Sequence, residues 1–146
     1  EKKYLQYVPN GNHGLLGGYQ NQNIFSFYER LIYSKELPEL NWSIENNVFN
    51  IEVKKNIPHK VYLWKINNPI SRDFRIWEVG RNWKKTAIKN NESGIYKINA
   101  PDDAGFTASL VEIIFYPNTN DELILTTGTH VIPNTYIYPP FKSSSN

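Results

Sequence analysis

The chain has 146 residues, enough for one domain or a small domain with an appendage, and it contains no Cys, which excludes a disulfide framework and thiolate chemistry. Its 16 basic and 14 acidic residues give a formal net charge of +2 and are scattered, so they do not form the basic face that nucleic-acid binding needs. No apolar run approaches the roughly 18 residues of a membrane span. We therefore expect neither a nucleic-acid partner nor insertion into a membrane. Because the chain begins at Glu1 rather than Met, we expect it to be part of a larger protein.

The first predicted elements are a strand, a loop and a helix. The strand covers residues 4–8 and ends at Pro9, because proline has no amide hydrogen to donate. A loop rich in Asn and Gly then presents His13. Over residues 20–35 the apolar positions recur at helical spacing, and the helix ends before Pro38. Its predicted buried stripe consists of Ile24, Phe27, Tyr28, Leu31 and Ile32. This order of strand, histidine-bearing loop and helix is typical of the end of an α/β-hydrolase fold.

The rest of the chain has the alternating apolar period of strands, which begins after Leu40. Asn46 and Asn47 tolerate positive φ and predict a tight hairpin turn. In the strand predicted at 106–116, the apolar parity switches near Leu110, which indicates either a bulge or burial on both faces. Seven short strands separated by turns are typical of an antiparallel β-sandwich of the immunoglobulin or fibronectin type III kind.

The predicted fold class is therefore mainly β, in three parts. Residues 1–38 are interpreted as the carboxyl-terminal end of an α/β-hydrolase-like domain, residues 39–140 as the β-sandwich, and residues 141–146 as a flexible tail. A strand of a parallel sheet is normally covered on both faces. We therefore expect the first part to pack against the sandwich, to pair with another chain, or to belong to a complex with a separate polypeptide.

Two triplets match the acceptor motif for N-glycosylation, at Asn41 and Asn91. Both fall where a strand edge or a loop is predicted, so both are expected to be accessible. Short motifs of this kind also occur by chance, and unused sequons are the alternative.

A charged turn after Pro69 is a candidate interaction surface. It contains Arg72, Asp73 and Arg75, and Trp77 follows in an irregular stretch. These side chains could dock the sandwich on the neighbouring domain or on a receptor, since aromatic residues are enriched at binding hot spots. The alternatives are a solvated turn with a surface ion pair, and a tryptophan used for packing.

The three histidines, His13, His59 and His130, have no metal-ligand spacing, and we expect neither a metal nor a cofactor. His13 could act as the base of a catalytic triad, or it could be an ordinary loop histidine. A serine hydrolase also needs a nucleophile and a carboxylate that orients the base. The chain has no Gly-x-Ser-x-Gly motif and no suitable partner for His13. We therefore predict no hydrolase activity for this chain alone.

Several short sequence segments, taken together, resemble one protein family. They lie at residues 3–15 (Lys-Tyr-Leu-Gln-Tyr-Val-Pro-Asn-Gly-Asn-His-Gly-Leu), 68–75, 83–86, 101–112 and 131–135. They resemble the carboxyl-terminal part of the PhoPQ-activated pathogenicity-related family. The resemblance implies an α/β-hydrolase followed by a carboxyl-terminal β-sandwich. It also places the histidine within 3–15 at the family's catalytic-histidine position.

The resemblance also implies a function. A eukaryotic member with a similar Asn-rich composition is a secreted signal that slows proliferation and repels cells of its own kind. This chain would then be the carboxyl-terminal portion of a secreted, extracellular signalling protein, partnered by the amino-terminal remainder of its parent and by a cell-surface receptor. One alternative is the corresponding portion of a secreted serine hydrolase or peptidase, with His13 as the triad base. Another is a structural domain that orders its neighbour.

Overall fold

A computed structural model describes residues 4–11, 20–54 and 57–135 of the chain. The tail predicted at 141–146 lies outside these residues. The described ranges contain two helices and eight strands, with these bounds: α1 Gln20–Ile32, β1 Leu40–Glu45, β2 Val48–Val53, β3 His59–Asn68, α2 Ile76–Val79, β4 Lys84–Ile88, β5 Ile95–Asn99, β6 Phe106–Phe115, β7 Leu123–Thr126 and β8 His130–Ile132.

The described part of the chain is mainly β, as predicted, and every strand pairing in it is antiparallel. One sheet has three strands in the order β1-β2-β5. The other has five, with β4-β3-β6-β7 side by side and β8 paired to the opposite end of β6. The two sheets contribute facing side chains to one hydrophobic core, which includes Phe49, Ile51, Val53, Tyr96, Val111, Ile113 and Phe115.

Strand β6 accounts for the switch of apolar parity near Leu110. Its ladder with β3 runs without interruption from the pair His59–Phe115 to the pair Asn68–Phe106, so it contains no bulge. Almost every residue of β6 is buried, on both faces of the sheet. Of the two explanations open for this strand, burial on both faces is the one confirmed.

The hairpin between β1 and β2 also forms as predicted. Asn46 and Asn47 have φ values of 51° and 62°, which place both in the left-handed region that a two-residue hairpin turn requires. The alternation predicted for β2 is confirmed, since Phe49, Ile51 and Val53 are all buried.

The strand predicted at residues 4–8 does not form. These residues lie along the outer edge of β7, where the Thr126 amide donates to the Leu5 carbonyl at 2.8 Å. The Tyr7 amide donates to the Thr126 hydroxyl at 2.9 Å. Both bonds converge on one residue of β7, so they hold the segment in place without building a ladder.

Helix α1 forms, but its predicted buried stripe is wrong. Only Phe27 packs against the core, with its ring 5.6 Å from that of Tyr4. The other four members of the stripe are exposed to 46–70%: Ile24, Tyr28, Leu31 and Ile32. The buried positions are instead the polar residues Asn23, Ser26 and Arg30. The helix therefore faces the sheet with its polar side.

Asn23 explains this orientation because it binds the free edge of β7. Its Oδ1 accepts from the Ile124 amide at 2.5 Å, and its Nδ2 donates to the Ile124 carbonyl at 3.0 Å and to Gln6 Oε1 at 2.8 Å. The side-chain amide thus takes the place of a neighbouring strand. Unpaired backbone groups at a strand edge can pair with another chain and cause aggregation, so this contact protects the edge of β7.

Arg30 fixes the other end of the helix. Its guanidinium donates to the Glu36 carbonyl at 3.0 Å and to the Asp121 carbonyl at 2.7 Å, and it lies 4.8 Å from the centre of the Tyr116 ring. Lys35 adds an exposed ion pair of 2.8 Å with the Asp121 carboxylate, which lowers the pKa of that carboxyl. The helix is thereby attached to the connection between β6 and β7.

Replacing Asn23 by Ala should destabilise the protein. The change leaves the buried amide and carbonyl of Ile124 without partners, and each such group costs about 1–3 kcal/mol. We expect the free energy of unfolding to fall by about 2–4 kcal/mol in urea denaturation. Asn21→Ala is the matched control, because Asn21 is exposed on the same helix and should leave stability within about 0.5 kcal/mol. Equal stability of the two variants would contradict the role given to Asn23.

Candidate functional site

The predicted catalytic residue His13 lies outside the described residues, but the turn that leads to it is described. The Gly11 amide donates to the Val8 carbonyl at 3.1 Å, and Asn10 has a φ of 62°. Asn10 Nδ2 donates to the Trp83 carbonyl at 3.1 Å, while Asn10 Oδ1 accepts from the Trp83 amide at 3.0 Å. This reciprocal pair anchors the turn beside the start of β4.

A groove of about 390 Å³ lies between residues 6–9 and one face of the five-stranded sheet. The charged and aromatic residues that line it include Tyr62, Trp64, Lys85 and Glu112. The sheet register brings these four together, since Tyr62 pairs with Glu112 and Trp64 pairs with Lys85. Residues two apart on a strand share a face, so both pairs project to the same side.

The centre of this groove is a buried carboxylate. Glu112 is 6% exposed; its Oε2 accepts from the Trp64 indole at 3.0 Å, and its Oε1 lies 2.5 Å from the Lys85 ammonium. The same ammonium is 4.0 Å from the centre of the Tyr62 ring and 5.3 Å from that of Trp64. An ammonium above aromatic faces is a favourable cation–π arrangement. The carboxylate is therefore neutralised by a cation that two aromatic rings also hold.

Among the described residues that line the groove there is neither a serine nor a histidine. The sequence reasoning missed this cluster, because its members come from three strands whose register was unknown. One signal was available: Glu112 is the one charged residue in the apolar run 110–115, and a charge in a buried strand needs a partner.

The two described histidines contact other protein groups. His59 Nδ1 lies 2.6 Å from the Ile57 carbonyl, so this nitrogen carries a hydrogen, and Nε2 lies 2.6 Å from the Tyr96 hydroxyl. His130 Nε2 is 2.9 Å from Asn47 Oδ1, and burial lowers the pKa of His130. Within the described ranges, no three His, Cys, Asp or Glu side chains are grouped as metal ligands.

The predicted interaction surface is brought together in part. Arg75 Nε contacts both carboxylate oxygens of Asp73, at 2.8 and 2.9 Å, and its guanidinium lies 5.1 Å from the centre of the Trp77 ring. The pKa of Asp73 is lowered by the hydrogen bond from Arg75. Trp77 is 71% exposed, whereas Arg72 is partly buried.

Asn68 holds this turn in place. It is buried, and its Oδ1 accepts from the amides of Ile70 at 3.0 Å and Ser71 at 3.2 Å. Its Nδ2 donates to the Asp73 carbonyl at 2.7 Å. The stack of Asp73, Arg75 and Trp77, which we call the Trp77 turn, is therefore an exposed surface on a fixed backbone.

The asparagines of both sequons are exposed, Asn41 on β1 and Asn91 in the turn before β5. Asn91 Oδ1 accepts from the Ser93 amide at 3.0 Å, and its Nδ2 donates to the Ile95 carbonyl at 2.9 Å. The register places Asn41 and Ile95 on either side of Glu52, in one row across the three-stranded sheet. The two sequons therefore lie at the same end of this sheet.

Within the part of the chain that the structure covers, neither helix has the length and apolar character needed to cross a membrane.

Comparison with known proteins identifies a family and a curated relative. The sequence profile described as PhoPQ-activated pathogenicity-related protein matches residues 1–75, about half of the chain. Autocrine proliferation repressor protein A of Dictyostelium discoideum is 28% identical over an alignment 170 positions long, which covers 99% of this chain and 34% of that protein. The chain thus spans about a third of the length of this relative. No solved structure matches it.

Removal of the Lys85 cation should destabilise the protein more than removal of a nearby surface charge. Lys85→Met leaves the Glu112 carboxylate buried and unpaired, which costs 3–5 kcal/mol for a fully buried pair. Since the Lys85 side chain is 33% exposed, we expect a loss of about 2 kcal/mol in urea denaturation. Lys84→Met, on the same strand, is the control and should have little effect.

The double variant Lys85→Met/Glu112→Gln should recover at least about 1 kcal/mol of this loss, because the amide needs no cation and still accepts from the Trp64 indole. A double variant less stable than Lys85→Met would show that the charge pair does not determine the stability of this cluster.

The Asp73–Arg75 contact should be visible in a pH titration. In NMR spectra of the carboxyl carbons, we expect Asp73 to titrate below the ordinary range of aspartate, because Arg75 stabilises its ionised form. Arg75→Gln should return the midpoint towards the ordinary value. A midpoint that does not respond to this substitution would mean that the pair is not formed in solution.

Proposed function

The chain belongs to the PhoPQ-activated pathogenicity-related protein family, and from this membership we propose that it is the carboxyl-terminal part of a secreted autocrine signal. The signal would repress proliferation of the cells that release it and repel them, acting through a cell-surface receptor. The observation that carries the proposal is the alignment of 99% of the chain with autocrine proliferation repressor protein A. Since that alignment covers a third of the relative, the activity would belong to a longer protein.

The proposal includes a domain organisation. Residues 1–38 would close an α/β-hydrolase-like domain, residues 39–140 would be a sandwich of the immunoglobulin or fibronectin type III kind, and residues 141–146 a tail. Two antiparallel sheets with a common core support the second part. The amino-terminal remainder of the parent protein would then be the first partner of this chain.

The receptor contact is proposed at the Trp77 turn, with Arg72 beside it. Trp and Arg are enriched among residues whose truncation costs most binding energy. Here the indole is exposed and the guanidinium is already positioned by Asp73, so binding would order little that is not ordered before contact. Secretion and glycosylation at Asn41 and Asn91 are part of the same proposal, supported by the exposure of both side chains.

A second function, a secreted serine hydrolase or peptidase with His13 as base, is favoured by one observation. The turn before this histidine is anchored by the two hydrogen bonds between Asn10 and Trp83. Catalysis requires a base that is held in place, and the turn at residues 8–11 would support it from the amino-terminal side. Its nucleophile and carboxylate would lie in the remainder of the parent protein.

One experiment separates the two functions. The secreted protein and its variants are added to cells of the species that makes it, and proliferation and movement away from the source are measured against dose. We expect Trp77→Ala to need at least about a tenfold higher dose, as loss of a hot spot implies, while His13→Ala keeps full activity. Ile70→Ala is the matched control, because Ile70 is 86% exposed and its amide is held by the same Asn68. Loss of activity in His13→Ala with Trp77→Ala unaffected would favour the enzyme instead.

A further inference from the structure

Helix α1 exposes a wide apolar stripe. The stripe consists of Ile24, Phe25, Tyr28, Leu31 and Ile32, whose exposures range from 46% to 70%. At 100° per residue these five positions cover about 120° of the helix, and an apolar face of this width normally points into a core. In this structure Asn23, Ser26 and Arg30 are buried against the protein body, whereas the stripe points to solvent.

This orientation is not the result of a loosely placed helix. Asn23 makes three hydrogen bonds and the guanidinium of Arg30 makes two, with lengths between 2.5 and 3.0 Å. Rotation of the helix to bury its apolar stripe would break these bonds and leave buried backbone groups unpaired. The stripe therefore stays exposed as long as the helix is attached to β7.

The stripe is large enough to form the apolar part of an interface. With about 200 Å² for each large side chain, the five residues expose roughly 600 Å², at the upper end of what a typical monomer shows. A notch of about 200 Å³ between residues 4–6 and α1 continues the surface, and Leu5 beside it is 37% exposed. Together they approach the roughly 800 Å² that each partner buries in a standard interface.

The charges of the helix restrict what can cover the stripe. Glu29 and Arg30 are its charged residues, and Arg30 is turned to the protein body. A helix that lies on a membrane needs a Lys- and Arg-rich polar face, which α1 lacks. Apolar, charge-poor surfaces are typical of obligate interfaces rather than of transient encounters.

We propose that this stripe docks against an uncharged, aliphatic and aromatic surface in the remaining part of the longer polypeptide. The proposal rests on the proposed carboxyl-terminal position of the chain in such a protein. Two findings support this occupant. The stripe lies within residues 1–75, the range matched by the family profile, and the curated relative has about twice as much sequence outside the alignment as inside it. The interface would join the two parts through α1, leaving the Trp77 turn free for another partner.

Hydroxyl-radical footprinting tests this docking. The isolated 146-residue chain and the protein as the cell secretes it are labelled side by side, and the modification of individual side chains is read by mass spectrometry. We expect Phe25 and Tyr28 to be labelled strongly in the isolated chain and at least fivefold less in the longer protein. Trp77 is the internal control and should be labelled equally in both.

Each other outcome overturns the proposal in a distinguishable way. If the intact mass of the secreted protein equals that of this chain, the proposed position in a longer protein fails together with the docking. If the protein is longer but Tyr28 remains fully labelled, the docking alone fails. If Tyr28 of the isolated chain becomes protected as its concentration rises, the occupant is a second copy.

A pair of variants of the longer protein gives a second readout. Ile32→Asp should restore labelling of Tyr28, because a carboxylate cannot be buried in an apolar interface without large cost. Ile70→Asp, equally non-conservative and 86% exposed, should change nothing. Labelling of Tyr28 that is unchanged by Ile32→Asp would contradict the docking.

Discussion

The arrangement of this chain depends on how the outer edge of β7 is closed. The edge offers the amide and carbonyl of Ile124 and the amide of Thr126, and these are bound by Asn23 and by the Leu5 carbonyl. The Asn23 side-chain amide and the Leu5 carbonyl thus form the hydrogen bonds that a neighbouring strand would otherwise form. These contacts determine where the amino-terminal segment lies and which side of α1 is buried. They also place residues 6–9, which line one side of the groove beside Glu112.

Because Asn23 binds this edge, α1 buries polar side chains and exposes most of its apolar ones. An amphipathic helix usually stabilises a fold by burying its apolar side, whereas α1 contributes polar groups to the body. Each buried polar contact is worth about 1 kcal/mol net, but each is costly to leave unmade. Specific hydrogen bonds therefore decide the orientation, and the apolar side is left for another surface. The same logic holds for Glu112, whose burial depends on Lys85 and Trp64.

Sequence patterns predicted the elements better than their partners. The Asn46–Asn47 turn and the alternation of β2 followed from local chemistry and period. The parity switch in β6 left two explanations open, and only the structure decided between them. The buried side of α1 could not be predicted, because it depends on hydrogen bonds between Asn23 and Ile124, about 100 residues apart. The Glu112 groove could not be predicted for the same reason, because the register between two strands cannot be read from the sequence of either one. The stack of Asp73 on Arg75 was foreseeable because its residues are neighbours in sequence.

In the proposed function an apolar stripe serves the rest of the polypeptide and the Trp77 turn serves a receptor. The stripe stays exposed only while the amino-terminal segment stays on β7. Amide hydrogen exchange measured by NMR tests this attachment most directly. The account predicts that the amides of Ile124 and Thr126 exchange as slowly as that of Leu125, which faces β6. Exchange of Ile124 and Thr126 at the rate of an open strand edge, with Leu125 still protected, would contradict it.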